Sequence, residues 1–284
     1  MARKKNDVFS TGKSAADGWA GETRNILLDD FGMELPTETV PLPSRGVVYP
    51  KGHPLHNKET VDIKAMTAKE EDILTNRSFI KRKIVITELI RSCLADPNID
   101  PEDMLMGDRN AVMTSLRITG YGPEYHVEVD CPVCNHRSKQ AFDLSTLPIK
   151  RLAHDPKIPG GNVFEFTLPV CKKKVEFKYL TGRDEKENAV MQERLKKQGI
   201  STKGNTITNR YINQIISVDG ITDKSKLSRF IPAMPARDSL ALRKFMDENE
   251  PGITMRSWMD CPECEEQSEV RLPLGASFFW PDSE

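Results

Sequence analysis

A chain of 284 residues with 38% hydrophobic side chains suits one large domain or two modest ones and excludes wholesale disorder. Lys plus Arg number 41 against 42 Asp plus Glu, a net charge of −1 that disfavours a dedicated nucleic-acid binder. No apolar run reaches the roughly 18 residues of a membrane span, the cationic start Met1 to Lys5 lacks the apolar stretch of a secretory signal, and six cysteines are too few for a disulfide scaffold. A soluble intracellular protein with a modest core is expected.

Residues 1–34 show no sustained period and are rich in Gly, Ser, Lys and Asp; they read as a mobile N-terminal arm. Prolines at 36, 41, 43 and 50 exclude a helix and favour an extended segment, with Leu42 to Pro50 a candidate strand or clamp on a neighbouring subunit. Val61, Ile63 and Ala65 alternate with polar residues as a half-buried strand does. Thr67 and Glu70 then stand where an N-cap and its N3 acid belong. A longer apolar helix is expected over Ile84–Leu94, and a third from Asp108, with Val112 and Leu116 on its buried stripe. A strand, the knuckle Cys131-Pro-Val-Cys134 and a returning strand follow. Two prolines and adjacent glycines in 153–162 mark a linker.

The second half repeats these signals. Val61 to Glu71 aligns with Val175 to Glu185 at an offset of 114, with the common pattern V-acid-apolar-K-x-apolar-T-x-base-acid-E. Asp108 and Asp238, like Cys131 and Cys261, are offset by 130. The second copy is therefore 16 residues longer between landmarks, and the polar stretch around Gln192–Asn205 is the expected place for them. Val175, Phe177 and Tyr179 form its strand, Thr181 and Asp184 its cap, Tyr211–Val218 its apolar helix, and Leu242, Phe245 and Met246 the stripe of its last helix. The fold class is α+β: two tandem strand–helices–knuckle units, 35–152 and 163–284, joined at one shared zinc-ribbon-like site. The tail Ala276 to Pro281 gathers three aromatics and suits either packing on its own hairpin or anchoring a partner.

The cysteine knuckles carry the strongest chemistry. Each Cys-x-x-Cys turn lets two thiolates reach one ion, and two such turns complete a tetrahedral tetrathiolate site. The metal ligands are Cys131, Cys134, Cys261 and Cys264, with one structural zinc per chain. An iron–sulfur centre uses the same thiolates and stays open. The 126 residues between Cys134 and Cys261 exceed the roughly 15–20 of a compact ribbon; duplication accounts for them, each copy giving half a site. Four thiolates leave no open position for substrate. His136 reads as a solvated loop residue.

No catalytic constellation is found. Gly12-Lys13-Ser14 resembles the end of a phosphate loop, but the earlier glycine it requires falls at Asp7. The five histidines are scattered, and Cys93 and Cys171 read as small buried hydrophobes. The chain is expected not to be an enzyme.

The run L-P-S-R-G-x-x-Y-P at 42–50, followed by V-D-I-K-A-M-T-A-K-E-E-D-I-L at 61–74 and a late helix before a cysteine knuckle, resembles the T4-type bacteriophage baseplate hub assembly proteins. Residues 40–150 carry most of the likeness, and V-E-F-K-Y-L-T-G-R-D-E from Val175 is similar to tail assembly proteins of contractile phages. The resemblance implies a structural or assembly protein of the baseplate hub, made in the host cytoplasm, located in the virion tail, with other baseplate, hub or tail-tube proteins as partners. An assembly chaperone absent from the virion and a zinc-ribbon nucleic-acid-binding protein are the alternatives.

Overall fold

The computed structural model describes residues 27–28, 34–197, 206–274 and 276–279. The expected N-terminal arm lies outside them, apart from β1 (Leu27–Leu28), which pairs with β2 (Glu34–Leu35), as does the Gly12-Lys13-Ser14 run. No helix of the described residues is long and apolar enough to cross a membrane.

In the first half, β3 (Thr37–Pro41) pairs antiparallel with β4 (Thr60–Lys64), Val40 opposite Val61. Val61 and Ile63 are buried, as their alternation demands. The chain passes straight into α1 (Ala68–Thr75), where the Glu70 carboxylate accepts from the Thr67 amide at 3.0 Å and hydroxyl at 2.6 Å. Helix α2 (Arg77–Arg82) starts at Asn76, whose side chain accepts from the Ser78 and Phe79 amides. Leu89, Ile90 and Cys93 form the buried face of α3 (Val85–Cys93). Helix α4 (Met106–Tyr121) buries Val112 and Leu116 completely. The hairpin β5 (Glu124–Asp130) and β6 (Arg137–Asp143) follows, then β7 (Ile149–Lys150).

The second half runs β8 (Phe164–Thr167), β9 (Lys174–Phe177), α5 (Gly182–Lys197), α6 (Thr206–Gln214), β10 (Ile215–Val218), α7 (Lys224–Ala233), α8 (Ala236–Asn249), β11 (Gly252–Ile253), β12 (Arg256–Asp260) and β13 (Gln267–Arg271). Asp184 caps α5 through the Thr181 amide and hydroxyl, both at 3.0 Å, as Glu70 does at Thr67. Every strand pair is antiparallel.

Three expectations need correction. The helix expected over Tyr211–Val218 ends at Gln214, and the β-branched run Ile215–Val218 is a strand with Ile215 opposite Phe177. Its first-half counterpart is the isolated bridge of Leu94 to Ile63, at an offset of 121 (215 − 94). The 16 extra residues therefore divide: 121 − 114 = 7 precede this contact and 130 − 121 = 9 follow it, where α7 lies. Finally, Leu42 to Pro50 is no extended arm. It coils into turns, with Arg45 and Gly46 at φ of 57° and 68°, and buries Leu42, Ser44, Val48 and Tyr49. Three apolar or aromatic side chains, Leu42, Val48 and Tyr49, gain more by folding inward than by lying on the surface.

The halves meet along backbone as well as side chains. Met106 N donates to Leu180 O at 2.9 Å, Gly182 N to Met104 O at 3.0 Å and Arg183 N to Glu102 O at 2.7 Å. Gly182 makes room there for buried Arg109; a Cβ at 182 would lie 1.7 Å from the Arg109 Nη1. Strand β7 pairs with β11. The segment 153–162 holds no helix or strand, yet it is tied down by Arg45–Asp155 at 3.0 Å and by Gly160 N to Val47 O at 3.0 Å. The buried side chains of both halves form one contiguous core.

Phe278 and Phe279 close that core in a 3₁₀ turn, Ala276–Phe279, and both are fully buried. Buried Arg117 holds the turn, donating to the carbonyls of Phe278 at 2.9 Å, Gly122 at 2.6 Å and Glu124 at 2.8 Å. Packing on the protein's own core is thus the outcome for this part of the tail; Trp280 and Pro281 lie outside the described residues.

Glu38 on β3 keeps one buried carboxylate oxygen, Oε2, without a hydrogen bond among the described residues, and burial pushes its pKa up to about 7. Between pH 4.5 and 7 the folded state holds a proton that the unfolded state has lost, so stability falls as pH rises through that window. Glu38→Gln is expected to match the wild type near pH 5 and to be more stable by about 1–2 kcal/mol at pH 8 in urea melts. An equal difference at both pH values would show that Glu38 ionises freely.

Candidate metal centre

Each knuckle caps a hairpin whose strands pair in register up to the cysteine, Asp130 opposite Arg137 and Asp260 opposite Gln267. The two turns have the same bonding. Cys131 N donates to His136 O at 2.9 Å and Asn135 N to Cys131 O at 2.9 Å; Cys261 N donates to Glu266 O at 3.1 Å and Glu265 N to Cys261 O at 3.0 Å. Asn135 and Glu265 take the left-handed conformation that closes the turn, at φ of 59° and 58°. The Val133 amide points at the Cys131 sulfur at 3.4 Å. Gln140 Nε2 reaches Asp260 O at 3.4 Å and sets the hairpins side by side.

All four sulfurs lie within 4.8 Å of one another. Contacts cross between the knuckles: Cys131 to Cys264 at 3.8 Å and Cys134 to Cys261 at 3.6 Å. A tetrahedron with metal–sulfur bonds of about 2.3 Å has edges of about 3.8 Å. A disulfide needs about 2.05 Å, so these are free thiols placed for coordination. The four sequence-predicted ligands are brought together; His136 is exposed and stands outside the group. Cys131 and Cys261 are buried, Cys264 is half-buried and Cys134 is exposed.

Electrostatics fit a cation. The Cys134 and Val133 amides pull the Cys131 thiol down to about 7. At Cys264 the Glu266 amide also pulls down, but desolvation and the three neighbouring sulfurs push the pKa up to about 12. Four thiolates this close repel one another unless a divalent ion sits among them, and ion binding would deprotonate them. The donor set is closed, soft and tetrahedral, which suits structural zinc.

The remaining cysteines do other work. Cys93 is buried on α3 with its thiol pushed up to about 12 by desolvation. Cys171 is half-buried, raised by desolvation and by Asp238.

Asp108 and Asp238 were legible only as helix starts, yet each is a buried anchor. Asp108 accepts from Ser44 N at 2.9 Å, Ser44 Oγ at 2.6 Å and Tyr49 Oη at 2.6 Å. Asp238 accepts from Val170 N at 2.6 Å and Cys171 N at 3.0 Å. Each ties the turn after its half's first hairpin strand to the helix that leads toward the knuckle. Their common offset of 130 with the cysteines was the available signal.

Cys261→Ser is expected to abolish stoichiometric zinc and to expose both hairpins, residues 124–143 as well as 256–271, to limited proteolysis, because each hairpin tip is held by the other's sulfurs. A first hairpin as resistant as in the wild type would mean that the knuckles share no ion. Metal content by elemental analysis is expected at one zinc per chain near neutral pH, falling as acid protonates the thiolates.

A family model described as T4 bacteriophage base plate protein matches residues 51–280. No curated protein and no solved structure matches the chain. The matched span includes the capped strand–helix units of both halves, both buried aspartates and all four cysteines. With well over half of its length covered, the chain belongs to the T4 bacteriophage base plate protein family.

Proposed function

We propose that this protein is a non-enzymatic structural component of the hub region of a contractile-tail baseplate, acting through its surfaces on neighbouring hub or tail-tube proteins. The family match over residues 51–280 carries the reading. Its two halves, 35–152 and 163–284, are tandem copies of one unit joined through 153–162. The equivalent contacts Ile63–Leu94 and Phe177–Ile215, and the matched bonding of the two knuckles, support the duplication.

One structural zinc on Cys131, Cys134, Cys261 and Cys264 joins the copies at their hairpin tips. Sulfur separations below 4.8 Å suit a single ion better than a cluster of several irons, which spreads its thiolates over several metal atoms. With four thiolates the ion has no position left for water or substrate, so its contribution is mechanical. Structural zinc supplies on the order of ten kcal/mol toward organising a chain. That would stiffen an arrangement already set by Gln140 on Asp260 and by Tyr125 on Pro273.

Mass spectrometry of purified virions tests the reading. The protein is expected in the particle at a fixed ratio to other baseplate proteins. Its absence from the virion, with presence in assembly intermediates, would make it an assembly chaperone instead. A salt-steep gel shift with DNA or RNA at physiological ionic strength would point to the nucleic-acid reading, against which the net charge of −1 speaks.

A further inference from the structure

β4 and β9 hold equivalent places, but their outer edges differ. Leu42 N donates to Glu59 O and Ala65 N to Pro36 O, so residues 60, 62 and 64 turn their backbone groups away from β3. On β9 the corresponding edge is filled: Lys178 N donates to Gln214 O at 2.8 Å, and Asp219 N to Lys174 O at 2.8 Å. The second half thus has a three-stranded sheet where the first has two strands. In the first half, among the described residues, the chain meets only the far end of this edge, where Leu94 bridges to Ile63 and Ala95 N donates to Asp62 O at 3.0 Å. It then turns off at Pro97, where the Asp96 carboxylate accepts from the Asn98 amide at 3.0 Å. A groove of about 310 Å³ is left along β4, floored by Leu55, Val61 and Ile99.

Side chains point the same way. In the second half Glu176 accepts from Ser217 Oγ at 2.7 Å and pairs with Lys157. Its first-half counterpart, Asp62, accepts from Thr39 Oγ1 at 2.7 Å and has no cation beside it among the described residues. Around the groove three carboxylates, Glu59, Asp62 and Asp96, outnumber one ammonium, Lys58.

We propose that this groove is a strand-addition site: an extended segment of a neighbouring tail protein pairs with the outer edge of β4 at Thr60 and at the Asp62 amide, short of the Ala95 contact, and presents a cationic side chain to the Asp62 carboxylate. The second half shows the chemistry of the fit, an extended backbone with the Ser217 hydroxyl at the acid and Ile215 and Val218 buried. Strand addition supplies affinity through main-chain hydrogen bonds, and the excess of acid at the rim selects the partner's charge. An open sheet edge is otherwise a liability that folded proteins cover or guard. The inference rests on the baseplate reading above.

Hydrogen exchange read by mass spectrometry on the intact protein, free and within baseplates isolated from infected cells, tests it. Within the segment 60–64 the outward amides of Thr60 and Asp62 are expected to exchange at least about tenfold more slowly in the baseplate, while 174–177 stays unchanged. Asp62→Lys keeps a guarding charge on the edge but reverses its sign. It is expected to fold and bind zinc as the wild type does, yet to enter baseplates at least about tenfold less. Wild-type protein present in baseplates with no protection at 60–64, or normal entry of the lysine variant, overturns this inference and leaves the baseplate reading standing. Absence of the wild type from the baseplate overturns both. Slow exchange at 60–64 already in the free protein, accompanied by a dimer in sedimentation, gives the groove to a second copy and likewise overturns it.

Discussion

Two pairs of sulfurs, carried on hairpin tips with 126 residues between them in the chain, come within 4.8 Å of one another. Four thiolates at that spacing are tolerable only around a cation, and a cation with four thiolates is tolerable only if both hairpins arrive with the right orientation. The supporting structure answers that demand. Register within each hairpin carries up to the cysteine, the left-handed residue after each second cysteine closes the knuckle, and Gln140 bridges to the opposing hairpin. A folded domain is stable by about 5–15 kcal/mol, the same scale as the binding energy of one structural zinc. An ion held there would therefore be comparable in weight to the whole net balance of the fold.

The orientation of the hairpins is passed down through the last helix of each half. Buried Asp108 and Asp238 fasten those helices to the turns beside β3 and β8, which links the sheet, helix and hairpin of each half. The two anchors are chemically different. Asp108 faces two hydroxyls and one amide and its pKa is raised, burial outweighing its hydrogen bonds. Asp238 takes two backbone amides and its pKa is lowered, the Cys171 contact and both amides outweighing desolvation. The same placement has thus been kept with different partners, which marks it as a demand of geometry more than of charge.

Much of this was legible where the physics is local. Alternation at Val61–Ile63 and Val175–Phe177, the caps at Thr67 and Thr181, and the paired knuckles all depend on a few neighbouring residues, and each has a distinct chemical signature. What was missed depends on distant partners. Ile215–Val218 has an apolar pattern that a helix or a buried strand satisfies equally, and only the exposed edge of β9 decides for the strand. Leu42 to Pro50 looks extended because prolines forbid a helix. Its burial is decided by Asp108, 64 residues beyond Ser44. The Leu180–Gly182 seam with Met104–Met106 is a backbone contact, and backbone contacts leave almost no trace in side-chain patterns.

That seam changes what the metal does. With a shared core, the β7–β11 pair and three backbone bonds at residues 102–106 already joining the halves, a metal at the four sulfurs is not needed to keep them together. It would act at the hairpin tips, adding to the buried packing of Val129, Met259 and Val270 and to the Gln140–Asp260 and Tyr125–Pro273 hydrogen bonds. A divalent ion with four bonds near 2.3 Å is stiffer than any set of exposed side-chain contacts. The core holds the two halves together, and an ion on the four sulfurs would stiffen the contact between their hairpin tips. A protein that works by presenting fixed surfaces to large neighbours needs both, because a small change of angle at the tips becomes a large displacement across an assembly.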